Sequence, residues 1–267
     1  MENKIIMFSH IPKTAGTSLN FLLKRYFGMR IMNAAFNKNQ KDLSYQYNDL
    51  KSEKWLYPKL DLVSGHSVKP YVDFKDFNKQ LEWLTFLRKP SKRFISHYIH
   101  EQTGNNPKYK MDLIEWSKRF KRYNWMVRML AGEENLDKAK DMLHEKFKFI
   151  GLTESFDESI NLMKNAFQLH GFDTSLKTNK MVIRDSGLKL FIKENYHIYD
   201  EVINENNNLD NELYNYFLDN IWENQKEKFK NFDEKEKKVN HFMNIKLGFF
   251  HRNLIYKPYT KLKNILS

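Results

Sequence analysis

The chain has 267 residues and no cysteine, and its 45 Lys and Arg outnumber 33 Asp and Glu to give a formal charge of +12. These numbers exclude a disulfide scaffold, thiolate chemistry and a Cys-ligated metal site. A hydrophobic fraction of 41%, with 15% aromatics, is enough to build a sizeable core and argues against global disorder.

In chain order, Lys4 to Ser9 predicts a short strand, followed at once by a Pro/Gly turn and then by Leu19, Phe21, Leu22 and Leu23, a helix ending near Gly28. Residues 38 to 54 and 103 to 110 are polar and read as loops. Asp61-Leu-Val-Ser64 and Trp83-Leu-Thr-Phe-Leu87 are short apolar runs that end in Gly65-His66 and Arg88-Lys89-Pro90, which predicts two buried strands with chemistry at their C-terminal ends. Lys148 to Leu152 is a fourth strand, and Ser155 with Glu158 fits a capping box for the helix after it. The Lys/Glu-rich stretch from Gln225 to Lys238 reads as a solvated helix face. Strands alternating with helices predict an α/β fold, a P-loop-like parallel β-sheet flanked by helices with a helical C-terminal portion. Ligands of such sheets bind beyond the carboxyl ends of the strands.

More than half of the excess charge lies in the last stretch. From Lys237 to Ser267 there are seven Lys and Arg and no acid, interleaved with Phe242, Phe249, Phe250, Leu254 and other apolar residues. This divides the chain into residues 1–232, the main domain, and residues 233–267, a basic apolar tail suited either to docking on the domain or to peripheral contact with an anionic membrane.

The densest signal is His10-Ile-Pro-Lys-Thr-Ala-Gly-Thr-Ser18, between the first strand and the first helix. Pro12, Ala15 and Gly16 shape a tight turn whose amides and helix dipole face one spot, Lys13 adds a cation, and Thr14, Thr17 and Ser18 add hydroxyls. The residues form a phosphate cradle. It is not a Walker A loop, because the lysine precedes the glycine and G-x-x-x-x-G-K-[ST] is absent.

This loop resembles the 5′-phosphosulfate loop of the 3′-phosphoadenosine-5′-phosphosulfate-dependent sulfotransferases, in particular the branch related to heparan sulfate 2-O- and 6-O-sulfotransferases. Leu87-Arg-Lys-Pro-Ser-Lys-Arg-Phe-Ile-Ser-His-Tyr98 is similar to the same family's 3′-phosphate segment, and the resemblance makes Arg88 and Ser96 the 3′-phosphate contacts. Weaker likeness at Lys148 to Phe156 and Asn206 to Tyr214 extends it over residues 4 to 220. The sequence departs from the family at Lys89, where Asp is usual, at Met126, where Gln is frequent, and at Ser64, where 2-O enzymes carry a second histidine.

The resemblance implies an enzyme that moves a sulfuryl group from 3′-phosphoadenosine-5′-phosphosulfate to a carbohydrate hydroxyl, releasing 3′-phosphoadenosine-5′-phosphate, without a metal. Lys13 would stabilise the departing phosphate. His66, after a strand end and similar to the family's Gly-His element, is the candidate base, its imidazole suited to proton transfer near neutrality. Lys177 and Lys180 are candidates for a further contact with the nucleotide, and His97, Asn124 and Arg128 for contacts with the acceptor. His97 and His100 have metal-compatible spacing, but no Cys or paired acid completes a set.

The expected partner is a glycan or glycolipid, with no nucleic acid. The phosphate loop begins ten residues from Met1, leaving no room for a preceding anchor, so the expected location is cytoplasmic, with the tail at the inner membrane face. Two rivals make different demands. A kinase using the same cradle needs Mg²⁺ and ATP, and a basic module binding membrane or nucleic acid leaves both phosphate motifs without a purpose.

Overall fold

The computed structural model describes residues 4–34, 44–57, 59–103, 111–120, 123–175 and 186–266. In chain order these form β1 (Ile5–Ser9), α1 (Gly16–Phe27), β2 (Ile31–Asn33), α2 (Tyr47–Glu53), β3 (Leu62–Gly65), β4 (Leu81–Leu87), α3 (Pro90–Gln102), α4 (Leu113–Phe120), α5 (Trp125–Ala131) and α6 (Leu136–Glu145). There follow β5 (Phe147–Leu152), α7 (Phe156–Ala166), α8 (Ser186–Glu194), α9 (Tyr196–Glu205), α10 (Asn208–Phe217), α11 (Glu223–Phe229), α12 (His241–His251) and α13 (Lys257–Leu266).

The five strands make one parallel sheet in the order β2-β3-β1-β4-β5. Every residue of β1 is buried, and so is every residue of β4 except Glu82, as expected of central strands covered on both faces by helices. The fold is thus α/β with a P-loop-like parallel sheet and a helical C-terminal region. The edge strand β2, three residues long, and helix α2, inside a segment read as loop, are additions to the sequence reading. α2 carries a capping contact, with Asp49 accepting from the Gln46 backbone N–H at 3.0 Å.

The box expected at Ser155 does not form, since Ser155 makes no side-chain cap bond. It closes a short 3₁₀ turn, and Ser159 instead bonds both the N–H and the C=O of Leu152. The expected solvated helix over Gln225 to Lys238 is also corrected. Helix α11 ends at Phe229, residues 231–240 are irregular, and Gln225 is buried with its amide bridging the backbone of Ile150 in β5.

Two apolar clusters hold the molecule together. The larger surrounds the sheet; the smaller joins α3, α4, α8 and α9 through Phe94, Tyr98, Trp116, Ile192, Tyr199 and Ile203. They are tied by α10, whose Asp210 accepts from the backbone N–H groups of Met126 and Val127 at the start of α5, at 3.0 and 2.9 Å. The same carboxylate lies 3.9 Å from Arg93 of α3, both side chains being fully buried. Because α3 starts directly after Arg88, this junction fixes the helix that follows the strand-end arginine.

Removing one member of a buried charge pair strands the other. Asp210→Ala should therefore lower unfolding stability by about 3–5 kcal/mol, read by denaturant titration, and a loss under about 1 kcal/mol would contradict the junction's role.

Candidate active site

Parallel pairing sets Ser9 of β1 level with Gly65 of β3 on one side and with Thr85 of β4 on the other. Neighbouring strands are about 4.8 Å apart, so the residues past the ends of β1 and β3, and those past Leu87 where β4 ends two residues further on, are brought to one edge of the sheet. They are the loop His10 to Ala15, the Gly65-His66 turn and Arg88. The chain order reverses beside β1, since β3 lies on one flank and β4 on the other, which is the point in such sheets where ligands bind.

The loop has an unusual backbone. Lys13 and Ala15 both adopt left-handed conformations, with φ of 71° and 62°. Thr14, fully buried between them, donates its hydroxyl to the carbonyl of Ile11 at 2.8 Å and locks the turn. Pro12 is half-buried, Thr17 is exposed and Ser18 half-buried in the first turn of α1. Gly16 cannot be replaced without movement, because a Cβ there would sit 1.7 Å from Nε2 of His10. The glycine is needed because the imidazole of His10 lies against the start of the helix.

Arg88 links the second motif to the first, donating from Nη1 to the carbonyl of Lys13 at 3.0 Å. Burial works against its charge and Glu154 supports it. Glu154 in turn accepts from the N–H of Lys89 at 3.2 Å and from the hydroxyl of Tyr214 at 3.2 Å, which holds the strand-end turn in place. Ser96 stands half-buried in the second turn of α3.

His66 lies on the other side of the loop. Its Nδ1 is 2.7 Å from the carbonyl oxygen of His10. A carbonyl only accepts, so Nδ1 carries the hydrogen and Nε2 carries the lone pair. The two imidazole rings lie 4.1 Å apart. Burial lowers the pKa of His66, assisted by Lys69 and opposed by the bond to His10. His10 is pushed down further, to about 3, by burial and then by His66 and Lys13. Both rings are neutral near pH 7. Below them, Ser64 donates to Asn20 of α1 at 2.7 Å and ties β3 to the first helix.

The expected acceptor contacts fare differently. Asn124 is turned inward: its amide donates to Glu134 and Asn208, and its oxygen accepts from the N–H groups of Leu209 and Asp210. All four of its bonds are made within the protein, so its role is to join α5 to α10, and the expectation of an acceptor contact is corrected. His97 is not on a helix surface either. It is buried between the indoles of Trp116 and Trp125, with Nε2 3.2 Å from Glu101. Arg128 is half-exposed, its guanidinium 5.2 Å from the ring of Tyr123 and 5.9 Å from that of Trp125. Lys177 and Lys180 lie outside the described residues. Among the described residues no group of three or more His, Cys, Asp or Glu is arranged to hold a metal ion.

Sequence reasoning missed Glu154, Asp210 and the lock that Thr14 provides. They are revealed by contacts of the folded chain, the backbone N–H groups bonded to Glu154 and Asp210 and the Thr14 hydroxyl bonded to the Ile11 carbonyl.

Comparison with known protein families and with curated proteins finds no match. Among solved structures, the chain is similar to mouse sulfotransferase SULT7A1 complexed with PAP, with a TM-score of 0.47 and 12% sequence identity over 77% of this chain and 85% of that one.

The neutral His10 has a consequence for stability. Its pKa is about 3 when folded and 6.5 when exposed, so the unfolded chain binds more protons in that interval. The stability attached to this group is fully present above pH 6.5 and is lost as pH falls toward 3. Denaturant unfolding across that range should show a shallower pH dependence for His10→Asn than for the wild type; parallel curves would contradict the burial of His10.

Proposed function

We propose that the chain is a sulfotransferase that uses 3′-phosphoadenosine-5′-phosphosulfate and a carbohydrate hydroxyl. The observation that carries this reading is the meeting of the phosphate loop, Arg88 and a neutral His66 at three adjacent strand ends, together with the resemblance of each to the corresponding family motif. The residues fit the nucleotide on a second ground. Arg88 Nε and Ser9 Oγ, both at this end of the sheet, are buried polar atoms without a hydrogen-bond partner among the described residues, a state that normally costs on the order of 1–3 kcal/mol per group.

When bound, the co-substrate supplies an activated sulfuryl group and a phosphate leaving group. The residues of the chain do the rest. The loop from Pro12 to Ser18 and the N-terminus of α1 would hold the 5′-phosphosulfate, with Lys13 offsetting the charge that builds on the departing phosphate. Arg88 and Ser96 would hold the 3′-phosphate, an arginine suiting that task by its fork of donors. The acceptor hydroxyl oxygen forms the new bond to sulfur, the sulfur–oxygen bond to the phosphate breaks, and the hydroxyl proton passes to Nε2 of His66. Nδ1 keeps its hydrogen on the His10 carbonyl, so the imidazolium that forms is oriented and partly stabilised. Arg128, with Tyr123 and Trp125, is the remaining candidate surface for a sugar acceptor, because a cation beside aromatic faces suits hydroxyl-rich and anionic glycans.

The test is release of 3′-phosphoadenosine-5′-phosphate from the co-substrate with a panel of glycans, in the presence of chelator. His66→Ala should lower kcat by about 10²- to 10⁴-fold and leave the nucleotide affinity unchanged. The acid limb of the wild-type rate should fall below pH 6.5, because burial lowers the pKa of His66 and the base is lost only when it protonates. Wild-type turnover in His66→Ala, or an acid limb above pH 7, would contradict His66 as the base.

A further inference from the structure

The C-terminal helices are built inside out. Apart from Tyr256 and Tyr259, which pack on the core, α12 and α13 meet the domain through polar contacts, while many of their large apolar side chains face solvent beside exposed cations, the reverse of a helix that folds against a core in water.

The polar contacts are specific. Asn244 donates to the carbonyls of Arg25 and Tyr26 at 3.0 and 2.8 Å, satisfying two of the carbonyls left open where α1 ends. Gly248 crosses Gly28 so closely that a Cβ on it would lie 2.9 Å from the Gly28 oxygen. His251, buried, donates to the carbonyl of Leu56 at 2.9 Å. Further on, the Tyr256 hydroxyl and Lys263 both reach Glu53 of α2, at 3.1 and 3.2 Å, and Lys263 also pairs with Asp49 at 2.9 Å.

Outward, Phe242, Phe249, Phe250, Leu254, Leu262 and Ile265 are 56–71% exposed. Such a run exceeds the isolated apolar residues normal on a protein surface. Trp55, 69% exposed, stands beside it, its ring meeting Tyr259 edge-on at 5.8 Å.

We propose that this face lies in the plane of a bilayer rich in anionic lipid. Three observations select that occupant. The stretch from Lys237 to Ser267 has seven Lys and Arg and no acid, and Lys246, Arg252, Lys257 and Lys261 are exposed beside the apolar residues. A second copy of the same face would bring these cations against one another, whereas anionic headgroups complement them. The shape also fits, for 26 residues of nearly continuous helix from His241 to Leu266 form a strip about 39 Å long at 1.5 Å per residue, suited to a plane. Finally, no helix of the described residues is long and apolar enough to cross a membrane, so the apolar side enters the interface and does not span it. Lysines such as Lys246, whose ammonium lies 4.4 Å from the Phe242 ring centre, can rest their stems on the apolar surface and extend the charge to the headgroups.

Helix α1 begins at the phosphate loop and ends under α12, and its 12 residues separate the two by about 18 Å. Lipid contact and the nucleotide site therefore occupy different parts of the molecule, and this inference stands apart from the sulfuryl-transfer reading.

The experiment is co-sedimentation of the full chain with vesicles of phosphatidylcholine alone and of phosphatidylcholine containing about one third phosphatidylglycerol. Binding to the anionic vesicles should exceed binding to the neutral ones by roughly tenfold and weaken with salt. Phe249→Glu/Phe250→Glu should reduce it by roughly tenfold or more, with an unchanged thermal melt confirming the fold. Should that variant fail to fold, Lys246→Glu/Arg252→Glu alters only exposed charge and must weaken anionic binding. Absence of binding by the folded wild type would overturn the inference. So would binding that both variants retain, or concentration-dependent dimerisation lost in Phe249→Glu/Phe250→Glu without vesicle binding.

Discussion

The structure depends on one constraint, the parallel pairing of β1 with β3 on one flank and β4 on the other. Parallel register sets the ends of β1 and β3 level with each other and with Thr85 of β4, which runs on two residues further to Leu87, and the crossovers carry the chain away on α1 and α3, so that loop residues and helix starts gather at a single edge. Everything chemical follows from that alignment. The loop after β1 meets Arg88 through the carbonyl of Lys13 and meets His66 through the carbonyl of His10. These two carbonyls, three residues apart, connect Arg88 on one side of the loop to His66 on the other.

The electrostatics of the site follow from the same closeness. His10 is enclosed by Phe8, Gly16 and His66, so it stays neutral, and its backbone carbonyl, not its ring, orients His66. A charged His10 beside Lys13 would oppose protonation of His66. Its neutrality leaves the positive charge at this edge to Lys13, Arg88 and the N-terminus of α1.

The sheet and the loop are legible in the sequence because their signals are local. Four of the five strands appear as apolar runs ending in polar turns, and the tight turn between β1 and α1 reads from its Pro and Gly. What escapes depends on distant partners. Strand β2 has three residues and no pattern of its own. Asn124 carries a polar side chain in a plausible place, but its left-handed backbone and its bonds to Glu134 and the start of α10 consume it. Ser155 and Glu158 have the spacing of a capping box, yet the preceding 3₁₀ turn denies Ser155 the geometry, while Gln46 and Asp49 form one in a segment that reads as loop. The tail shows its mixture of basic and apolar residues plainly in the sequence. Which side faces the domain does not show, because polar contacts to α1 and α2 invert the usual rule.

The central claim is that Arg88, delivered by β4 beside the loop of β1, recognises a phosphate at the 3′ position of the nucleotide. Calorimetric titration of 3′-phosphoadenosine-5′-phosphate and of adenosine 5′-phosphate into wild type and Arg88→Ala, in chelator, tests it as a thermodynamic cycle. The account predicts that the wild type prefers the 3′-phosphorylated nucleotide by on the order of 10- to 100-fold and that Arg88→Ala removes most of that preference while binding of adenosine 5′-phosphate changes little. Equal binding of the two nucleotides by the wild type, or an undiminished preference in Arg88→Ala, would contradict it.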